Sequence, residues 1–296
     1  MTKFLMITGA GGFVGNNLIN YFSKKKVIVY AYFNRKIEKN LKKNIIYVKK
    51  NLKNLRKINN NVDTIIHCAA RTPPSVDQKK CYLNNLRIDE NLINLVKKSK
   101  VKRIIFLSSM SVYGRNKKKI INEDSKPAKL DLYGKAKLIT EGRLKELAFK
   151  YKKKVLIIRL PSVIGYKCHS TFLCRLGENI FTKEIHMYNY NSQFNACLHI
   201  SNLCSIICSI LKKESFSFDI LNLFSLNPLK VQSIFKLFKK ELNPSIKIIP
   251  VKSSKKNYLV KSINKKKYDF NLNSTLLNLK LYIRDLKFRQ KVIQNR

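Results

Sequence analysis

An α/β fold around a doubly wound parallel sheet is expected for this chain, on two observations. Short apolar runs alternate with longer segments whose apolar residues recur at helical spacing, and the first run, Phe4 to Ile7, leads straight into Gly9, Gly11, Gly12 and Gly15. Strands that alternate with helices pair in parallel, because each crossover helix covers a face of the sheet. Only nine glycines occur in 296 residues, so four within seven positions mark a place where the backbone must come very close to something. A strand-turn-helix of this kind suits a dinucleotide pyrophosphate: the glycines make the tight turn and clear the phosphates, and the helix N-terminus attracts the anion. The sheet is therefore read as Rossmann-type.

Taken in order, Phe13 to Phe22 supplies the helix after the turn. Val27 to Tyr32, Ile45 to Val48, Val62 to His67, Arg103 to Leu107 and Val155 to Arg159 read as further strands. Leu83 to Lys98 and Leu132 to Tyr151 read as helices, the first carrying Ile88, Leu92, Leu95 and Val96 on one face. After Gly165 the pattern loosens into Lys/Asn-rich segments around a helix near Leu203 to Leu211, a strand near Asp219 to Leu223 and a terminal helix near Ser274 to Leu286. The division expected is a dinucleotide-binding domain over residues 1–165, completed by segments within 195–224, and a smaller, interleaved C-terminal substrate lobe over 166–296.

A hydrophobic content of 45% is enough for a substantial core. No apolar run approaches the roughly 18 residues of a membrane span, and a strand opening near residue 3 leaves no room for a leader, so a cytoplasmic protein is expected. The seven cysteines form no Cys-x-x-Cys pair and sit in apolar surroundings, which reads as packed thiols in a reducing compartment and no metal site. A net charge of +44 would ordinarily suggest nucleic acid or an anionic membrane surface. Lysines are instead spread along the whole chain in runs such as Lys24-Lys25-Lys26 and Lys152-Lys153-Lys154, the pattern of a solvated surface, so nucleic acid is not expected while anionic ligands are favoured.

Strand Arg103 to Leu107 ends in Ser108-Ser109-Met110-Ser111-Val112-Tyr113-Gly114, and Tyr133-Gly-Lys-Ala-Lys137 opens a helix further on. Tyrosine and lysine four apart share a helical face, and a neighbouring ammonium favours a phenolate able to exchange a proton. Ser109 can orient the same substrate oxygen. Four tyrosines, at 21, 32, 113 and 133, have a lysine four residues on, and only Tyr133 opens a long amphipathic helix after a Ser-bearing strand end.

Together, Thr8-Gly-Ala-Gly-Gly-Phe-Val-Gly15, His67-Cys-Ala-Ala70, Asn85, Ser108 to Gly114, Tyr133 to Lys137 and Arg159-Leu-Pro-Ser-Val-Ile-Gly165 resemble the extended short-chain dehydrogenase/reductases, and among them the NAD-dependent epimerase/dehydratase family acting on nucleotide sugars. The resemblance implies that Gly9, Gly12 and Gly15 bind the pyrophosphate, that Ala69 and Ala70 border the cofactor, that Lys137 holds the nicotinamide ribose, and that Tyr133 is the acid/base with Ser109 its partner. Cofactor contacts would extend to Phe13, Val14, Asn51, Leu52, Asn85, Ser108, Pro161 and Val163. Arg71, Thr72, Ser109, Ser162 and His199 are weaker substrate candidates, His199 reading more readily as a packed histidine. Family members often dimerise through two helices, here Leu83 to Lys98 and Leu132 to Tyr151.

Departures from the family pattern narrow the expectation. The second strand ends in Tyr32-Phe-Asn-Arg35 without the acidic residue that binds the ribose hydroxyls of NAD, so the cofactor is NAD or NADP with a tilt to NADP through Arg35. Asn51 stands where an adenine-binding Asp is usual. Met110 and Ser111 replace the acidic pair of the 4,6-dehydratases, which disfavours dehydration. Ala196 takes the place of an arginine that meets the substrate diphosphate, and Ser201 and Asn202 replace acidic residues. The expected activity is epimerisation or keto-reduction at a ring carbon of a nucleotide-activated sugar, and the rival is a non-catalytic family member binding nucleotide or RNA through its basic surface.

Overall fold

The computed structural model describes residues 3–34, 42–72, 77–212, 216–252 and 258–294. The chain runs β1 (Phe4–Thr8), α1 (Phe13–Phe22), β2 (Ile28–Phe33), β3 (Ile45–Lys49), β4 (Thr64–His67), α2 (Gln78–Lys97), β5 (Arg103–Ser109), β6 (Ile120–Ile121), α3 (Leu132–Lys150), β7 (Lys154–Leu160) and β8 (Ser162–Ile164). It continues through α4 (Phe172–Asn179), β9 (Glu184–Tyr188), β10 (Gln193–Phe194), β11 (Cys197–His199), α5 (Ile200–Lys212), β12 (Phe218–Asn222), β13 (Leu229–Lys230), α6 (Val231–Leu242), β14 (Lys247–Val251), β15 (Leu259–Val260) and α7 (Thr275–Gln294).

Seven strands form one parallel sheet in the order β12-β7-β5-β4-β1-β2-β3. Thr8 at the end of β1 is level with Tyr32 on one side and His67 on the other. The strand order reverses here, and in open α/β sheets ligands bind outside the carboxyl ends at such a point. Apolar residues cover both faces. Leu5, Ile7, Val29, Ile105 and Leu156 pack under α1 and α5, while Met6, Ile65, Ile104, Phe106 and Ile157 pack under α2 and α3. Burial of these Val, Ile, Leu and Phe side chains is worth about 1.5–3 kcal/mol each, and no polar alternation survives in strands covered on both sides.

Beyond β8 a second core forms from α4, β9, α6 and α7, around Leu173, Ile185, Phe235, Phe238 and Tyr282. β9 pairs in parallel with β14, and β10 pairs antiparallel with β13. Between these elements the chain returns to the main sheet: β11 lies parallel to β8, α5 packs on the α1 side, and β12 closes the sheet edge beside β7.

The smaller lobe holds more regular structure than its composition predicts: α4, α6 and β9 set polar residues such as Arg175, Lys236 and His186 outward from buried Leu173, Phe235 and Ile185. The helix expected from Leu83 begins at Gln78, where Asp77 accepts a hydrogen bond from the Lys80 amide at 2.8 Å and caps it. The terminal helix continues past Leu286 to Gln294. Contrary to the expectation of packed thiols throughout, Cys168 and Cys174 are joined in a disulfide across the β8–α4 loop, their Cα atoms 6.2 Å apart. That loop doubles back through Lys167 and Ser170, both in left-handed conformation, and so brings together two cysteines whose spacing follows no metal or Cys-x-x-Cys pattern. Among the described residues, Cys68, Cys197, Cys204 and Cys208 carry free thiols. No group of metal-ligating side chains occurs among the described residues, and no described helix is long and apolar enough to cross a membrane.

Candidate active site

The turn after β1 is built for close approach. Gly9 adopts φ +67°, and a Cβ there would lie 2.8 Å from the Ala69 backbone, so the loop after β4 presses directly on the glycine turn. Gly15 rests on the Gly9 carbonyl, which leaves room for no side chain. α1 begins after Gly12 with no side-chain cap and no acidic residue in its first turn. Its first N–H groups and helix dipole therefore face the carboxyl end of the sheet without a competing side-chain oxygen, the arrangement that suits a pyrophosphate. Phe13 and Val14 follow, half-buried against the main core.

The β4 side of the cleft is tied down by a buried polar chain. Thr8 Oγ1 accepts from the amides of Cys68 and Ala69 at 3.1 and 3.3 Å and meets His67 Nδ1 at 2.6 Å. His67 Nε2 lies 2.9 Å from Asp89 on α2, and Thr140 on α3 donates to the other Asp89 oxygen at 2.7 Å. His67 is thus a strut between sheet and helices. Asn85 brackets the Arg71 backbone, accepting from its amide at 2.9 Å and donating to its carbonyl at 3.0 Å, so the exposed Arg71 and Thr72 are held at the cleft mouth.

Opposite, β5 delivers Ser108 and Ser109, and α3 delivers Tyr133 and Lys137. Asp131 caps α3 by accepting from the Gly134 amide at 2.7 Å. A side chain at Gly134 would start on the Ser111 carbonyl oxygen, so glycine lets the first turn of α3 close onto the Ser109–Ser111 turn. Ser109 Oγ accepts from the Ser111 amide at 3.1 Å and donates to Ser111 Oγ at 3.2 Å. Tyr133 lines a cavity of ≈ 90 Å³ with Arg71, Asn85, Tyr82 and Asp131. Lys137 is buried, with its Nζ donating to the Leu107 carbonyl at 3.0 Å, 4.3 Å from the Phe106 ring centroid and 5.9 Å from that of Tyr133.

This geometry corrects one expectation. The Tyr133 hydroxyl is pushed up from its ordinary value, by burial first and then by the charges of Asp89 and Asp131, and burial lowers Lys137. Helical spacing does put the ammonium beside the ring, but the β5 carbonyl takes its hydrogen bond. Burial therefore outweighs the ammonium, and the phenol is the favoured form in this arrangement.

The remaining candidates fall into two groups. Ala69, Ala70, Pro161 and Val163 border the same carboxyl edge, β8 following directly on β7. Ser162 is half-exposed there, its amide donating to the Ala196 carbonyl at 3.0 Å. Others are engaged within the protein: Ser108 donates to Glu141 at 2.6 Å, and Asn51 accepts from the Lys53 amide at 3.1 Å, capping a helical turn that buries Leu52. His199 meets Ser201 at 2.7 Å and Asp285 at 3.1 Å, so both its ring nitrogens are occupied. Asn202 bonds to the backbone of Asn271 and Asn273. Arg35 lies outside the described residues. Ala196 packs beside Met110, Phe224 and Tyr258, an apolar patch where the family arginine would project.

Three features were not anticipated. Asp131 orients the Tyr133 helix, and its signal is the ordinary one of an aspartate preceding a helix. A buried network joins Arg159, Glu141, Ser108 and Tyr113 beneath the site. The smaller lobe holds a cleft of ≈ 670 Å³ lined by Phe172, Arg175, Tyr188 and Phe235 among others, formed by the consecutive elements α4 and β9 with Phe235 of α6.

A glycine turn on an uncapped helix, at the switch point of a parallel sheet and facing a Ser-Tyr-Lys set, defines a dinucleotide-binding protein of the short-chain dehydrogenase/reductase type. The model of the NAD dependent epimerase/dehydratase family matches residues 5–223, and the chain belongs to that family. It is 26% identical over 270 residues to an uncharacterized protein of Methanocaldococcus jannaschii, covering 83% of this chain and 82% of that one. It is 30% identical over 227 residues to the UDP-glucose 4-epimerase of Vibrio cholerae, covering 71% of this chain and 67% of the relative. Among solved structures, UDP-glucuronic acid 4-epimerase from Bacillus cereus in complex with NAD superposes with a TM-score of 0.81 at 18% identity, over 97% of this chain and 99% of that one.

Proposed function

We propose that this protein is a nicotinamide-dependent 4-epimerase of a nucleotide-activated sugar. The observation that carries the reading is the convergence of Ser109, Tyr133 and Lys137 on the carboxyl edge of the sheet that also presents the Gly9–Gly15 turn. The bare backbone at Gly12 and the uncapped α1 fit a dinucleotide pyrophosphate, and Ala69, Ala70, Pro161 and Val163 would flank its rings. A bound nicotinamide supplies the hydride acceptor and donor there. Tyr133 removes the proton from a sugar hydroxyl and later returns it to the same oxygen, which Ser109 holds by hydrogen bonding. Lys137 holds a ribose hydroxyl and, turned from Leu107 toward the ring, favours the phenolate. Met110, an apolar side chain, and Ser111 after Ser109 supply no carboxylate for eliminating water.

The nucleotide is assigned to the smaller-lobe cleft, where the partly exposed rings of Phe172 and Tyr188 are available to a base and Arg175 to a phosphate. The UDP-sugars named for the Vibrio cholerae and Bacillus cereus proteins make a UDP-hexose the first substrate to try. Two copies are expected to pair through α2 and α3, which pack side by side and expose Leu83 and Ile139.

A second reading has its own support. Asn34 and Arg35 follow β2 with no carboxylate to bind ribose hydroxyls, which admits the 2′-phosphate of NADP and an exchanging keto-reductase. The test is to denature protein purified without added cofactor, identify the released dinucleotide by mass spectrometry, and follow UDP-glucose and UDP-N-acetylglucosamine by NMR. Near-stoichiometric NAD with 4-epimer formation supports the epimerase, and substoichiometric NADP(H) with reduction of a keto-sugar supports the reductase. Tyr133→Phe should lose about 10²–10⁴ in kcat while still binding dinucleotide, and full turnover by that variant would sink both readings.

A further inference from the structure

The terminal helix α7 has apolar residues on two sides. Its inner side, with Leu279, Tyr282, Ile283 and Leu286, is buried in the core of the smaller lobe. At 3.6 residues per turn, the outer side divides into two adjacent rows. One row is basic and exposed: Lys280, Arg284, Lys287 and Lys291. The other is apolar: Leu277 is 45% and Phe288 58% exposed, with the half-buried Leu281 and Val292 between and beyond them. The helix contains a single carboxylate, Asp285, and this points inward to the Tyr166 amide and His199. Glu241 on α6 is the acidic neighbour of the basic row, 2.8 Å from Lys287. Tyr166 widens the apolar row through an edge contact with Phe288, ring centroids 5.7 Å apart, and Lys167 lies over the Tyr166 ring.

We propose that this outer face of α7 is a docking surface for an anionic lipid bilayer, on which the helix lies flat. Twenty residues span about 30 Å along the surface. A row of cations beside a row of Leu and Phe is what the headgroup boundary accommodates, phosphates meeting the first and acyl chains the second. The alternatives serve only one row. A second copy of the chain would set four like charges against four, and a nucleic acid would leave Leu277 and Phe288 in water.

The experiment is sedimentation of the full chain with phosphatidylcholine vesicles, with and without about one third phosphatidylglycerol, near physiological salt. The protein should pellet with the anionic vesicles and stay in solution with the neutral ones. Leu277→Asn with Phe288→Asn, and separately Lys280→Gln with Arg284→Gln and Lys291→Gln, should each lower partition at least about tenfold without altering the melting temperature or dinucleotide binding. Lys24→Gln with Lys25→Gln and Lys26→Gln, the same charge change elsewhere, should lower it less than about twofold. The proposal is overturned if the wild-type chain ignores anionic vesicles, or if the control loses as much as the α7 variants. It is equally overturned if the Leu277 and Phe288 changes dissolve a self-associated dimer, which would make the face a contact between copies.

Discussion

Lys137 places its ammonium 3.0 Å from the carbonyl oxygen of Leu107 and 5.9 Å from the centre of the Tyr133 ring. The cation thus lies beside the Tyr133 ring but is bonded to the end of β5. Burial, with Asp89 and Asp131, holds the Tyr133 hydroxyl above its ordinary value of about 10. Without added dinucleotide, the tyrosinate absorbance that disappears in Tyr133→Phe should therefore arise only above about pH 10. Since proton removal from a substrate needs the phenolate, turnover should climb as pH rises through neutrality. Ionisation of Tyr133 below about pH 8 in the unliganded protein would contradict this account.

Burial of Lys137 has a stability consequence of definite sign. Its folded pKa lies below the unfolded value of 10.5, so the unfolded chain binds this proton more tightly and folding is penalised below that pH. The penalty fades only as pH rises toward the unfolded value. Lys137→Met removes the ammonium and keeps the volume, at the expense of one hydrogen bond to Leu107. It should stabilise the protein by about 1 kcal/mol, a rise in melting temperature of about 2–4 °C, while abolishing turnover. A fall in melting temperature at pH 7 would show that the Leu107 bond dominates.

Much of this arrangement was legible in the sequence, and the boundary is physical. The parallel sheet was readable because its strands are buried on both faces, and the glycine turn because close approach leaves no residue but glycine. Ser109, Tyr133 and Lys137 stood out through their local contexts. The Lys137–Leu107 bond did not, since side-chain direction is decided by tertiary neighbours. Nor did β9 or β14, whose half-exposed, lysine-flanked residues weaken the strand pattern. The Cys168–Cys174 pairing depends on a loop with left-handed Lys167 and Ser170, a conformation that neither residue type signals.

Gly134 tests the link between helix and strand end. A Cβ there would begin on the Ser111 carbonyl, and backbone cannot yield as a flexible side chain can. Gly134→Ala should push the first turn of α3 off the Ser109–Ser111 turn, costing about 1–3 kcal/mol by urea denaturation. As Tyr133 is carried on that turn, kcat should fall about 10²-fold with dinucleotide affinity retained. Gly142, lower on the same helix, has open space around it, so Gly142→Ala should be neutral or stabilising by up to about 1 kcal/mol.

Arg159 and Glu141 form a buried pair under the site, 2.7 Å apart, with Ser108 donating to the carboxylate and the guanidinium donating to the Tyr113 hydroxyl at 2.7 Å. Burial pulls the Arg159 pKa down, but hydrogen bonding to Glu141 and its charge outweigh burial and hold the group above its usual range. Arg159 is therefore cationic at any pH at which the protein folds. Glu141→Leu would strand that charge and should cost about 3–5 kcal/mol by urea denaturation. Removing the charge as well, in Glu141→Leu with Arg159→Met, leaves only neutral groups, Ser108, Tyr113 and the Glu123 carbonyl, to satisfy and should recover at least about 1 kcal/mol of the loss. A double variant no more stable than Glu141→Leu would mean that the guanidinium contributes more through Tyr113 and the Glu123 carbonyl than its unpaired charge costs.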